Sequence, residues 1–542
     1  MMDEYTTFYV YNDKDAAGNH FFPSGWMGDL SAIKFDGGWS EAYSGTSCIR
    51  IDYKANNNWA GIYWQYPENN WGNMREGYNL TGATKLTFWA KGEKGGEVIK
   101  FFVGGIDGKY SDSLPKVSIK VRPTKEWRKY TIDLKNYNLS HVIGGFGWVA
   151  SSYDNPRGAT FYLDEIKYDL KTNKPRFLRS FITITTKSPD KYIQNAAFVY
   201  DNALALIAFL AMEDYERAKL IADAFVTAQN NDRFYKDGRL RNAYMAGDLL
   251  YLGKARLPGW WDEKTKRWYE DEYQASSYAG NMAWVVIALA SYYEEKGGEE
   301  YKNAAIKLGE WIYRENDKSG YTGGYKGWEP NAEKIRWKST EHNIDVYVAF
   351  MHLYKITGDK KWYDGAMKAK NFVESMWNGE YFYTGTFENG SINKEVVPLD
   401  IQAWAVMAFN NYSKAVEWAE INCYVEVDGF KGFDFNTDRD GVWFEGTSHM
   451  ALAYKILGED EKADLYLSEI EKGISKGVFA SSHDGVTTGF DWNYFKREHV
   501  GATSWYIFAK LGYNPYWGKS DSAVNQDNEV RIMKSEQIKK QK

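Results

Sequence analysis

The hydrophobic period of this chain changes once, and that change divides it into two parts of different class. Between about residues 5 and 168 the apolar residues alternate in short runs: 47–53 (SCIRIDY), 60–65 (AGIYWQ), 85–90 (KLTFWA), 99–104, 116–121 and 160–163. Clusters of Gly, Asn and Pro such as 67–72 and 91–96 separate the runs, as expected of strands joined by tight turns. Beyond the polar residues 169–176 (DLKTNKPR) the period becomes about 3.6 and the turn signals thin out, which reads as helix. The expected organisation is an all-β jelly-roll sandwich over residues 1–170, a linker over 171–189, an all-α domain over 190–517 and a polar tail over 518–542.

The helical half contains two kinds of segment. Residues 195–212, 280–294, 339–357, 399–411, 446–457 and 502–511 are apolar nearly all round, whereas 214–229, 299–314, 360–376, 413–425 and 459–472 carry charge along one face. A helix apolar all round is buried and an amphipathic one covers it, so six inner and five outer helices are expected. Each inner–outer hairpin exposes an apolar side until it meets the next, and six such repeats close into an (α/α)6 barrel. A sixth outer helix is not evident after Tyr513, and the segment 177–187 would close the ring in its place.

Charge and composition exclude several roles. The chain holds 67 Lys and Arg against 73 Asp and Glu, a net of −6, which leaves no basic surplus for nucleic acid or anionic lipid. The longest apolar stretch, 203–212, is about half of a membrane span. Residues 1–10 lack the basic and then apolar character of a signal peptide, so an extracellular, cell-surface or periplasmic setting implies a leader outside this sequence. Cys48 and Cys423 are too few for a disulfide framework and read as packing residues. By contrast, 23 Trp, 42 Tyr and 28 Phe exceed what core packing requires, so many rings are expected to line a surface or a cleft.

Unusual residues recur at the starts of the inner helices: Tyr200 and Asp201; Asn281 and Trp284; Glu341, His342 and Asp345; Asp400 and Trp404; Trp443 and Glu445; His499. Parallel inner helices would bring these to one rim. Burying carboxylates on apolar helices costs several kcal/mol each unless they are paired, which a binding cleft would explain. Helix capping is the plain alternative for any one of them, notably at Ser339 and at Asp400. Glu341 and Asp345 lie four apart on one helix face, and like charges that close raise one pKa, which suits a general acid. Paired carboxylates cleave glycosidic bonds and aromatic faces stack on sugars. The candidate catalytic residues are therefore Glu341, Asp345, Asp400, Asp201 and Glu445, with Glu341 as proton donor. Tyr200, Asn281, Trp284, Tyr325, Trp328, Trp337, His342, Trp404, Trp443, Asp491, Trp492 and His499 are candidates for binding substrate.

Residues 434–441 (DFNTDRDG) place oxygen ligands at alternate positions before a Gly, like half of a calcium loop, with Asn436, Asp438 and Asp440 as candidate ligands for a structural Ca2+. Position twelve of such a loop is Thr447 rather than Glu, which tells against it. The seven histidines show no HExxH spacing, and no glycine-rich phosphate motif joins a strand to a helix, so neither zinc nor a nucleotide cofactor is expected.

Residues 190–517 resemble the (α/α)6-barrel glycoside hydrolases through segments 200–204 (YDNAL), 339–345 (STEHNID) and 443–447 (WFEGT). That resemblance implies hydrolysis of a polysaccharide, often by inversion, with Asp and Glu at the inner-helix rim. Residues 5–168 resemble a galactose-binding-type jelly roll, the fold of many carbohydrate-binding modules, through 22–26 (FPSGW), 62–64 (IYW) and 161–166 (FYLDEI). For this half the resemblance implies glycan binding, with Trp59, Trp64, Trp71 and Trp148 as platform or, for half of them, core. The expected function is hydrolysis of a neutral polysaccharide such as a β-glucan, without a required cofactor. A polysaccharide lyase on the same barrel and a non-catalytic glycan-binding protein are the alternatives. An acidic rim tells against a lyase of acidic glycans. The oligomeric state, the linkage and retention or inversion stay open at the level of sequence.

Overall fold

The computed structural model describes residues 6–171 and 174–519. Eleven strands form the first domain: β1 (Thr7–Tyr11), β2 (Phe22–Gly28), β3 (Ile33–Trp39), β4 (Cys48–Tyr53), β5 (Trp59–Gln65), β6 (Lys85–Gly92), β7 (Ile99–Val103), β8 (Val117–Val121), β9 (Arg128–Asp133), β10 (Gly144–Ser151) and β11 (Ala159–Lys171). They make two antiparallel sheets, one in the order β3-β4-β11-β6-β9 with β1 also on β11, the other β2-β5-β10-β7-β8. Alternation along the strands sends Ile49, Ile51, Phe88 and Phe161 of the first sheet against Ile62, Phe101 and Trp148 of the second. Rings interlock across that core, Phe88 with Phe101 at 4.7 Å and Trp148 with Phe161 at 5.2 Å. All six apolar runs singled out above are strands.

The second domain contains α1 (Val199–Ala211), α2 (Tyr215–Asn230), the single turn α3 (Glu272–Ala275), α4 (Ala279–Lys296), α5 (Glu299–Arg314), α6 (Thr340–Thr357), α7 (Lys360–Ser375), α8 (Leu399–Phe409), α9 (Ser413–Cys423), α10 (Phe444–Leu457), α11 (Asp460–Glu471) and α12 (Val500–Leu511). Helices α1, α4, α6, α8, α10 and α12 each pack on the next, and α12 packs back on α1, so these six close a ring. Outside it α2, α5, α7, α9 and α11 lie against their sequence neighbours. Five outer helices are present among the described residues, and residues 177–187 supply no sixth. That segment instead runs extended across the gap: Phe177 and Leu178 enter the main core, the Val500 N–H donates to Ser180 O, and the Ile182 N–H donates to Glu498 O. The expected tail, from residue 520 onward, lies outside the described residues.

Short antiparallel pairings set the starts of the inner helices. Ala196–Phe198 pairs with Ala243–Met245 before α1, Ser277–Tyr278 with Gly324–Lys326 before α4, and Lys338–Ser339 with Gly385–Thr386 before α6. Bridges Trp443↔Ser481 and Phe181↔His499 do the same before α10 and α12. At the opposite end of the ring the chain after α12 turns inward, and Tyr516 lies fully buried with its ring stacked on Trp284 at 4.9 Å. The domains meet through buried groups: Asn195 donates to Asp15 O at 2.6 Å and Gly259 O at 2.7 Å, and the Trp261 N–H donates to Asp15 Oδ1 at 3.0 Å.

Candidate active site

Four of the six inner helices carry a carboxylate in their first turn: Asp201 in α1, Glu341 in α6, Asp400 in α8 and Glu445 in α10. The positive end of a helix favours negative charge there. Capping does not account for them. Helices α1, α8 and α10 have no side-chain cap, α6 is capped by Ser339, whose Oγ accepts the His342 N–H at 3.2 Å, and Asp400 Oδ1 accepts the adjacent Ile401 N–H.

The carboxyls converge. Burial, then the neighbouring Asp400, Asp345 and Glu445, hold Glu341 well above the usual carboxylate range. Its side chain is half-buried and draws on no hydrogen bond among the described residues. Burial likewise raises Asp400, whose second oxygen has no protein partner among the described residues. Glu445 is pushed up to about 7 by burial and by Asp201 and Asp400, with His499 and the Tyr200 hydroxyl pulling the other way. Asp345 lies a turn deeper and is fully buried. One of its oxygens accepts the Tyr516 hydroxyl at 2.7 Å and the other is unpartnered, and burial holds it well above its ordinary value.

Two helix starts lacking a carboxylate supply other groups. Helix α4 contributes Asn281, half-buried, whose Nδ2 donates to Asn242 Oδ1 at 3.0 Å. Before α12 stands His499, with Nε2 3.2 Å from Asp201 and Nδ1 3.4 Å from Glu445, its ring stacked on Phe181 at 4.3 Å. Burial works against its charge, but Asp201 and Glu445 outweigh that and raise its pKa. Gly501 makes the approach possible: a Cβ there would stand 2.8 Å from both Asp201 Oδ1 and Glu445 Oε2. His342 and His449 are neutral by contrast, burial pushing His342 down to about 4 and His449 well below its usual range.

Below the carboxyls the floor is aromatic. The Tyr200 hydroxyl donates to Glu445 Oε1 at 2.7 Å and accepts from Trp505 Nε1 at 2.8 Å, and Trp404 stacks on Trp505 at 5.7 Å and meets Trp284 edge-on at 5.5 Å. Trp284, Trp404 and Trp443 are almost wholly buried, so they line the floor rather than an open wall. Around the rim, Tyr278 lies between Trp337 at 5.9 Å and Tyr273 at 5.3 Å, and Phe198 between Tyr273 and Trp492 at 6.1 and 6.4 Å. Trp492 and Asp491 are exposed beside this arc. Trp328 is exposed and Tyr325 packs on Trp311 at 6.3 Å, and no contact joins either to the carboxyl cluster among the described residues.

Sequence reasoning missed Tyr494. It stands at the end of the hairpin Val486–Thr487/Asn493–Tyr494, stacks on Trp443 at 5.5 Å, and its pKa is held well above 10.0 by burial and by Glu445, Asp400, Glu341 and Asp201. That hairpin is pinned by residues 434–440. The Thr487 N–H donates to Asp440 at 3.0 Å, its hydroxyl donates to Asp438 Oδ2 at 2.7 Å, and Asn436 Nδ2 reaches Thr487 O at 3.4 Å. One oxygen each of Asp434, Asp438 and Asp440 lies within 4.8 Å of the others, a spacing that suits a cation. Asn436 lies beside this group, its Oδ1 accepting the Asp438 N–H at 2.7 Å. In the sandwich, Trp64 and Trp148 belong to the core, while Trp59 and Trp71 are exposed.

No protein-family model matches the chain, and no curated protein matches it. Solved structures similar to it include an α-amylase from Clostridium perfringens, at 13% identity and TM-score 0.42, covering 59% of this chain and 87% of that one. A cellobiose 2-epimerase from Bacillus thermoamylovorans is similar at 14% identity and TM-score 0.44, covering 63% and 94%. A D-mannose isomerase is similar at 12% identity and TM-score 0.44, covering 63% and 91%.

Proposed function

We propose that the chain is a glycoside hydrolase acting on a neutral glycan such as a β-glucan, outside the cytoplasm. The observation that carries this reading is the convergence of five carboxyls from α1, α6, α8 and α10, of which Glu341 alone is appreciably open. Glu341, kept protonated by burial and by its acidic neighbours, gives its proton to the glycosidic oxygen as the bond from that oxygen to the anomeric carbon breaks. Water attacks the anomeric carbon and passes a proton to the free oxygen of Asp400. The Tyr200 hydroxyl and His499 favour the ionised form of Glu445, and that charge keeps the proton on Glu341. His499 positions Asp201 and Glu445: Nε2 faces Asp201 at 3.2 Å and Nδ1 faces Glu445 at 3.4 Å.

A lyase of acidic glycans needs unpaired cations, and two arginines near this rim are paired. Arg497 pairs with Asp190 and Asp484, and Arg241 with Asp232 and Glu329. The test is reducing-sugar release from linear glucans, mannans and uronate polymers. Glu341→Gln is expected to lower kcat by about 10²-fold or more with folding intact. A variant of near-normal turnover removes Glu341 from the mechanism, and release of an unsaturated product from a uronate polymer replaces hydrolysis with elimination.

A further inference from the structure

The outward face of the six-stranded sheet holds an aromatic box that core packing does not explain. Along β4, β6 and β11, Ile51, Phe88 and Leu163 point into the sandwich, while Arg50, Trp89, Lys91 and Tyr162 point away from it. Register sets Arg50 and Lys91 on either side of Tyr162, which is buried beneath them with its hydroxyl donating to Glu93 at 2.6 Å. The Arg50 guanidinium lies 4.5 Å from the Trp39 ring, and Lys91 Nζ lies 4.7 Å from Tyr162 and 5.2 Å from Trp127. Tyr43 closes one side: it stacks on Trp89 at 3.8 Å, its N–H donates to Asp164 at 2.8 Å, and it remains 43% exposed.

The chemistry of this face selects its occupant. Each cation has a nearby carboxylate, Asp52 at 3.2 Å from Arg50 and Glu41 at 4.0 Å from Lys91, so the face offers rings and hydrogen-bonding groups with little net charge. An anionic polymer would meet those carboxylates. A protein interface core is depleted of lysine and carboxylates, whereas here Lys91, Glu41 and Asp52 lie among the rings. A neutral sugar chain matches both features, its flat C–H faces against indole and its hydroxyls against guanidinium, ammonium and carboxylate.

We propose that this sheet face, and not the exposed Trp59 and Trp71, binds a neutral glycan strand, with Trp39 and Trp127 stacking on sugar rings and Arg50 and Lys91 donating to hydroxyls. It extends the hydrolase reading by giving the first domain the task of holding polymer close to the cleft, which raises the effective concentration of scissile bonds. The test is affinity electrophoresis of the full chain carrying Glu341→Gln in gels containing a soluble neutral glucan, mannan, xylan or uronate polymer.

At least one neutral polymer is expected to retard the protein. Trp39→Ala with Trp127→Ala should weaken that retardation about tenfold, on the scale of losing a stacked ring. Tyr43→Ala, in an exposed loop, should weaken it severalfold and serves where the Trp pair disturbs folding. Trp59→Ala with Trp71→Ala should leave it unchanged. Unaltered retardation in the Trp39, Trp127 and Tyr43 variants, retardation by the uronate polymer alone, or retardation by none of the four overturns the proposal. Hydrolysis is scored separately on the chain with Glu341 intact. Hydrolysis without retardation ends the binding face and leaves the hydrolase, and retardation lost in the Trp pair without hydrolysis by the parent does the reverse.

Discussion

The positive charge of His499 tunes the cleft through Glu445, and removing it gives a signed prediction. His499 lies 3.4 Å from Glu445 and lowers its pKa, so in His499→Gln the Glu445 proton is held more tightly. With Glu445 neutral, Glu341 loses a negative neighbour and its own raised pKa falls, so the alkaline limb of kcat/KM should move to lower pH. An alkaline limb that stays put or moves to higher pH would separate these residues. Glu341 also carries a stability signature. Its pKa is higher in the folded chain than in the unfolded one, so its contribution is present below the ordinary glutamate pKa and is lost as pH rises through the folded value. Glu341→Gln should therefore melt about 2 °C or more above the parent at pH 8.5, with the gap closing at pH 4, as read by calorimetry.

Hairpins and loops between helices decide how the cleft is completed. Asp438 and Asp440 hold the hairpin that carries Tyr494, so Asp438→Ala should free its Thr487 end, raise KM severalfold and change kcat less. Asp438→Asn keeps an acceptor for the Thr487 hydroxyl and should restore KM, whereas an unchanged KM in the alanine variant would show that the hairpin is held elsewhere. The inner helices were legible in sequence because all-round apolarity leaves few alternatives: the expected 339–357 is Thr340–Thr357 and the expected 399–411 is Leu399–Phe409. Residues 177–187 were not, since an extended strap and a short outer helix both need only a few apolar anchors such as Phe177 and Leu178. Tyr494 escaped for a related reason. It sits in a two-residue strand whose period is too short to register, and its neighbours Trp443 and Glu445 are about fifty residues away along the chain.

At the scale of the whole molecule, the two domains are joined by groups that neither can satisfy alone. Asn195, fully enclosed just before α1, donates to one carbonyl from each domain and accepts the Gly259 N–H at 3.0 Å, while Phe22 of the sandwich packs on Trp261 at 5.6 Å. Asn195→Ala leaves three buried backbone groups unpaired, at about 1–3 kcal/mol each. Calorimetry should show a lower Tm and a single transition resolving into two, and an unaltered transition would place the coupling elsewhere in the interface.

The amino-acid order by itself determined the class of each half, the six buried helices, and the first-turn placement of Asp201, Glu341, Asp400 and Glu445, because periodicity and helix starts are local properties that a few neighbouring residues settle. Ring closure decided the rest. Only when α12 packs back on α1 does His499 come between Asp201 and Glu445, Tyr516 reach Asp345 from the far end, and Glu341 remain the open acid among buried ones. Those relations join residues separated by up to about three hundred positions, and their electrostatics depend on burial, which no linear spacing fixes.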